Sequence, residues 1–137
     1  MSNLFSVYGV SGSALDVYKT WLDAVSDNMA NADNSSPTSG PAFQARYVVA
    51  QSLSGGPEGT GSGVKVAGIT LGPAAGIEVY DPTNPMADAK GMIRKPNMDM
   101  GEQMTAMMIA QRGYEANLAV VSRAATAYQA ALSIANA

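Results

Sequence analysis

The chain has 137 residues, enough for one domain, and 47% of them are apolar. Charged residues reach only 14%, against about 25% in an ordinary soluble domain, so much of this surface is expected to lie against protein. With no His and no Cys, Cys/His zinc sites, Ser-His-Asp and Cys-His catalysis, and disulfide or thiol redox chemistry are excluded. The net charge of -3 without a basic stripe argues against a nucleic-acid partner.

The first basic residue is Lys19, so the basic opening of a secretory signal is missing and no cleaved signal peptide is expected. The apolar stretch Met104–Ala110 is interrupted and far short of the roughly 20 residues a spanning helix needs. No stable membrane insertion is expected.

In chain order, the first element is a helix. Leu15, Tyr18, Leu22, Val25, Met29 and Ala32 are spaced 3, 4, 3, 4, 3, a seam of period 3.5. The spacing also runs backward to Ser11 and Tyr8, which places the start either near Asn3 or after Gly12. Asn31 tolerates the left-handed geometry that ends helices, and Pro37 forbids much continuation. This gives an N-terminal segment over 1–34.

The middle segment, 35–97, reads as a small β region. Phe43, Tyr47 and Val49 share one parity of the run from Ala42 to Gln51, which fits a strand. Val64–Leu71 is a second, and a parity switch across Gly68 suggests a bulge. Between them, ten of the twelve residues of Ser52–Gly63 are Gly, Ser, Thr or Pro, the composition of a flexible loop. Ile77–Tyr80 is a third strand, closed by the turn-forming Asp81-Pro82-Thr83-Asn84-Pro85. Met92–Lys95 is a fourth, entered through Lys90-Gly91. So few strands need a helix over one face to be stable.

The last segment, 98–137, gives the cleanest signal. From Met100, alternating steps of 4 and 3 pass through Met104, Met107, Gln111, Tyr114, Leu118, Val121, Ala125, Tyr128, Leu132 and Ala135, and ten of these eleven are apolar. Asp99 and Glu102 have the spacing of a capping box. One helix over Asp99–Asn136 would be about 57 Å long, against a radius of gyration of about 14 Å for a compact domain of this size. Five charged residues and eleven alanines lie between Asp99 and Ala137, so its outer faces are not those of a solvated coiled coil. Two readings stay open on pattern alone: a self-supporting helical hairpin with an Ala-rich exterior, or a helix wrapped by neighbouring subunits. The fold class is α+β, with long terminal helices paired as a coiled-coil-like hairpin around a small irregular antiparallel β region.

Candidate chemistry is thin. Gly55–Gly63 has the glycine content of a phosphate loop but lacks the following Lys and the helix. Asp81 and Asp88 lack the twelve-residue ligand spacing of a calcium loop. Five of the nine Met fall within Met98–Met108 at helical spacing, which suits core filling rather than copper. Glu102 and Glu115 are 13 positions apart on one helix and form no catalytic dyad. No cofactor, metal or enzymatic activity is expected.

Ser26-Asp27-Asn28-Met29-Ala30-Asn31-Ala32-Asp33 closes the first helix and resembles the N-terminal signature of bacterial flagellar axial proteins. Further stretches resemble the proximal rod family FlgC: Gly40-Pro41-Ala42-Phe43, Gly63-Val64-Lys65-Val66, Tyr80–Pro85, Ala87–Gly91, Pro96-Asn97-Met98-Asp99 and Arg112-Gly113-Tyr114-Glu115-Ala116-Asn117. In order they cover nearly the whole chain, with departures at Met92, Thr126 and Asp33–Ser39.

The resemblance implies a structural subunit of the periplasmic drive shaft, exported by the flagellar type III apparatus without a cleaved signal. It implies further copies of the same subunit and the rod proteins FlgB and FlgF as neighbours. The motif positions it marks are Asn28, Ala30, Asn31, Pro96, Asn97, Tyr114, Ala116 and Asn117. The expected assembly interface combines both seams: Leu15, Tyr18, Leu22, Val25 and Met29 with Met104, Met107, Tyr114, Leu118, Val121, Tyr128 and Leu132.

Overall fold

The computed structural model describes residues 2–55 and 61–135, with side chains from Ser6 onward. Part of the expected loop 52–63 and the last expected helical residue, Asn136, lie outside the described residues. Helix α1 spans Ser2–Ala30, which settles the start in favour of the earlier of the two positions. Strands β1 (Arg46–Ser52), β2 (Val64–Leu71), β3 (Ile77–Tyr80) and β4 (Met92–Lys95) follow, and α2 spans Met100–Ala135.

Both helix ends are built by the residues that the sequence offers for them. At the close of α1 the Asn31 side-chain amide donates to the Asp27 carbonyl at 2.8 Å, a second bond on an oxygen that already accepts the Asn31 backbone N–H at 3.1 Å. At the start of α2 the Glu102 N–H donates to Asp99 Oδ1 at 2.9 Å, the Asp half of the capping box.

The two helices run antiparallel. Asn28 of α1 bonds Gln103 of α2, and further back along α1 the Tyr18 ring lies against Gly113. The ring sits where a Cβ on Gly113 would be, so glycine is what lets the helix axes close here. Tyr18 in turn stacks on Trp21, with ring centroids 6.2 Å apart.

The strands form two separate antiparallel hairpins, β1–β2 and β3–β4. In the first, Val49 pairs with Gly68 and Ala50 with Val66, so Ala67 is the extra residue of the bulge expected near Gly68. The first strand begins later than expected. Residues 42–45 run alongside 72–74, joined by Ala42 N–H to Ala74 O at 2.8 Å and Gly72 N–H to Ala45 O at 2.7 Å, without extending the ladder. The covered parity also differs: Tyr47 and Val49 are 42% and 44% exposed, while Val48 is half-buried and lines a cavity with Ala14, Val17 and Trp21 of α1.

The second hairpin is fixed by its turn. Gly91 sits at φ +75°, a left-handed conformation costly for any residue with a Cβ, and its N–H closes on Asp88 O at 2.9 Å. Ser36 and Arg94 exchange two backbone bonds of 2.9 Å, tying the linker after α1 to β4.

The core is thin. Among the described residues the buried aliphatic side chains are Val17, Ala24, Val25, Ala42, Ala45, Ile93 and Ala110, with no Leu, Met or aromatic among them. The accessible surface is 8889 Å², about a third more than the roughly 6,700 Å² of a compact monomer of this mass.

Candidate functional site

The junction of α1, β1 and α2 is organised by one side chain. Asn28 is fully buried. Its Oδ1 accepts from the Arg46 N–H at 2.8 Å, and its Nδ2 donates to the Arg46 carbonyl at 2.9 Å. The carboxamide thus occupies the edge of β1 as a neighbouring strand would. The same Nδ2 donates to Gln103 Oε1 at 2.9 Å. Unpaired amide groups at such depth each cost about 1–3 kcal/mol, so this position demands all three partners. Beside it, Arg46 and Asp27 form a 2.6 Å ion pair with both side chains about half exposed, which contributes little.

The line of α2 that meets α1 differs from the expected one. Gln103 and Ala110 are buried, and Ala106, Gly113 and Asn117 are half-buried. Small and amide side chains allow closer helix approach than Met or Leu would. The seam residues Met107, Tyr114 and Val121 lie half-buried along its margin. Met104 and Leu118 fall outside it, 54% and 50% exposed. Tyr128 and Leu132 continue the inner stripe at steps of four but remain 41% and 45% exposed. On α1, Val25 is buried, while Leu15, Tyr18, Leu22 and Met29 are half-buried.

The motif positions scatter over these surroundings. Asn28 and Pro96 are buried, Asn31, Tyr114 and Asn117 half-buried, and Ala30, Asn97 and Ala116 exposed. Sequence reasoning missed Gln103 and Ala110. Their signal was present: Gln103, Ala110 and Asn117 repeat at intervals of seven, a heptad hidden because two of its members are polar.

Two further features flank the hairpin of helices. One is a pair of exposed apolar stripes on opposite sides of α2. Met100, Met104 and Met108 form a row at steps of four, 39%, 54% and 51% exposed. On the other side Ile109 and Val120 are 52% and 42% exposed. The second feature is a trough between β1 and α2, floored by α1. It holds cavities of about 310 Å³, lined by Ala14, Val17, Tyr18, Trp21, Val48 and Asn117 among others, and about 290 Å³, reaching Gln103 and Ala106.

Polar groups elsewhere serve turns. Asp88 accepts from the backbone N–H groups of Met92 and Lys90 and from the Thr38 hydroxyl, and these bonds hold its carboxyl below the usual aspartate range. Asp81 is lowered likewise, chiefly by the Thr83 hydroxyl. Among the described residues no three acidic side chains gather closely enough to hold a metal ion, and no helix is long and apolar enough to cross a membrane.

A thin core, paired long helices and uncovered apolar flanks define a structural subunit built for assembly. Comparison with known proteins gives the family. Residues 89–134 match the family described as flagellar basal body rod FlgEFG protein C-terminal. The flagellar basal-body rod protein FlgC of Escherichia coli O6:H1 is 37% identical over 119 residues, covering 87% of this chain and 88% of the relative. FlgC of Yersinia enterocolitica is 38% identical over 120 residues, covering 88% and 89%. FlgC of Borreliella burgdorferi is 32% identical over 147 aligned positions, covering 96% and 97%. The chain belongs to the FlgC family and is a structural rod subunit of the flagellar basal body.

Proposed function

We propose that the subunit polymerises helically through its terminal helices to form the periplasmic drive shaft and carries torque along it, without enzymatic activity. The observation supporting this reading is the pair of apolar stripes on opposite sides of α2. A closed two-fold dimer uses one patch twice, whereas an open stack needs two different patches, one at each contact. Met100, Met104 and Met108 supply one, Ile109 and Val120 the other.

Load is then shared over many modest contacts. The neighbours in this reading are further copies of the subunit and the rod proteins FlgB and FlgF, reached after type III export without a cleaved signal. The surface excess over a compact monomer is of the size an obligate interface covers, about 2,000 Å² or more.

Leu118→Asp tests this. Leu118 lies about five turns beyond Met100 on the same face of α2 and is half exposed, so the isolated variant should melt with the wild-type chain, yet place an unpaired charge in a buried contact of the stack. Expected are loss of the subunit from purified basal bodies and loss of motility. Motile cells with the variant in their rods would refute the reading.

A further inference from the structure

We infer that the trough between β1 and α2 is the acceptor for the methionine row of an adjacent copy, so that Met104 and Met108 of one subunit seat over Trp21 and Val48 of the next. The inference rests on the assembly reading above and adds which two surfaces meet.

The trough is a real gap in the subunit. No Cα of β1 comes within 8 Å of one in α2, although the Asn28 carboxamide joins the two at one end. Its floor is α1, where Ala14, Val17, Tyr18 and Trp21 line the wider cavity. A gap of about 310 Å³ walled mainly by apolar side chains, with Asn117 on the α2 side, gains when a neighbour's apolar side chains replace water.

Continuity with the apolar flank argues for a second copy as the occupant. Ala106 and Asn117 line the trough, and Ile109 and Val120 stand three positions further along α2, on the same side. Trough and stripe are therefore one surface. Met104 follows Gln103 by one residue, about 100° around the helix in the other direction, so the methionine row faces away from the trough. One copy cannot fill its own gap with it. A neighbour displaced around the axis can, and each added copy offers a fresh trough and a fresh row.

The shapes suit each other as well. Methionine is long, unbranched and polarizable, adapts to irregular gaps and packs favourably against aromatic rings such as Trp21. The row is 54% and 51% exposed at Met104 and Met108.

The chain has no cysteine of its own, so an introduced pair reports without background. The variant Met108→Cys with Ala50→Cys, the second position lining the trough, is expressed in cells lacking the native subunit. Isolated basal bodies are treated with a short bismaleimide. Expected is a ladder of dimers and higher multimers, absent from Met108→Cys with Lys90→Cys and from either single variant.

Incorporation into basal bodies without a ladder would overturn the inference while leaving the assembly reading standing. A product from Met108→Cys alone that stops at the dimer would overturn it in favour of a row-to-row contact. A wild-type chain absent from basal bodies would instead defeat the assembly reading itself.

Discussion

Asn28 and Arg46 meet as though both were strand residues: one carboxamide engages the N–H and the carbonyl of a residue 18 positions away. Gln103 completes the arrangement from the second helix. Replacing Asn28 by Asp keeps the shape and the acceptor but removes the donor that serves two oxygens. The expected loss is about 2–4 kcal/mol of unfolding free energy, read from urea titration of the isolated chain. A variant within about 0.5 kcal/mol of wild type would show that these bonds contribute little.

Glycine substitutions in the helices should split by sign. A methyl at Gly113 overlaps the Tyr18 ring, so Gly113→Ala should lower the melting temperature despite its better helix propensity. Trimming the ring with Tyr18→Ala in the same chain should remove that penalty. Gly9 and Gly12 have nothing within 4 Å of an added Cβ, and their change to Ala should stabilise the free subunit by about 0.5–1 kcal/mol each. Thermal melts of the three single variants and the double variant decide it.

Acid should loosen the second hairpin first. Hydrogen bonds favour the ionised forms of Asp88 and Asp81 and lower both values. Their contribution is complete above the unfolded value of about 3.9 and is lost as pH falls through the lowered folded values. Asp88→Asn should therefore be less stable near neutrality and show a flatter melting profile below about pH 4. Parallel profiles for the two chains would contradict this.

The free subunit should open from its ends. Every described residue of α2 from Thr126 onward is exposed, so few contacts oppose local unfolding there. Brief trypsin treatment of the isolated chain should cut at exposed Arg123 well before Arg94, which lies in β4 with its side chain 20% exposed. The reverse order, read by mass spectrometry, would point to a rigid self-contained hairpin.

Much of the architecture was legible because its signals are local. Both helices, all four strands and the bulge follow from period, parity and turn residues that act within a few positions. The packing line of α2 was harder to read. An apolar count favours Met104 and Leu118, yet a subunit that leaves its flanks for neighbours turns large apolar residues outward and packs small ones inside. Gln103 was obscured for a related reason: a polar residue joins a core only when a distant partner such as Asn28 satisfies it, and that partner is 75 positions away. The strand parity failed similarly: the side of β1 turned to α1 carries Arg46, paired with Asp27, and Val48, while Tyr47 and Val49 are left exposed.

The three-way grip at Asn28 also imposes a sequence of events on a chain synthesised from its N-terminus. Residues 28 and 46 can find each other early, but their shared amide stays half-satisfied until residue 103 arrives. A partly made chain therefore lacks this lock, and only the arrival of the final helix can close it.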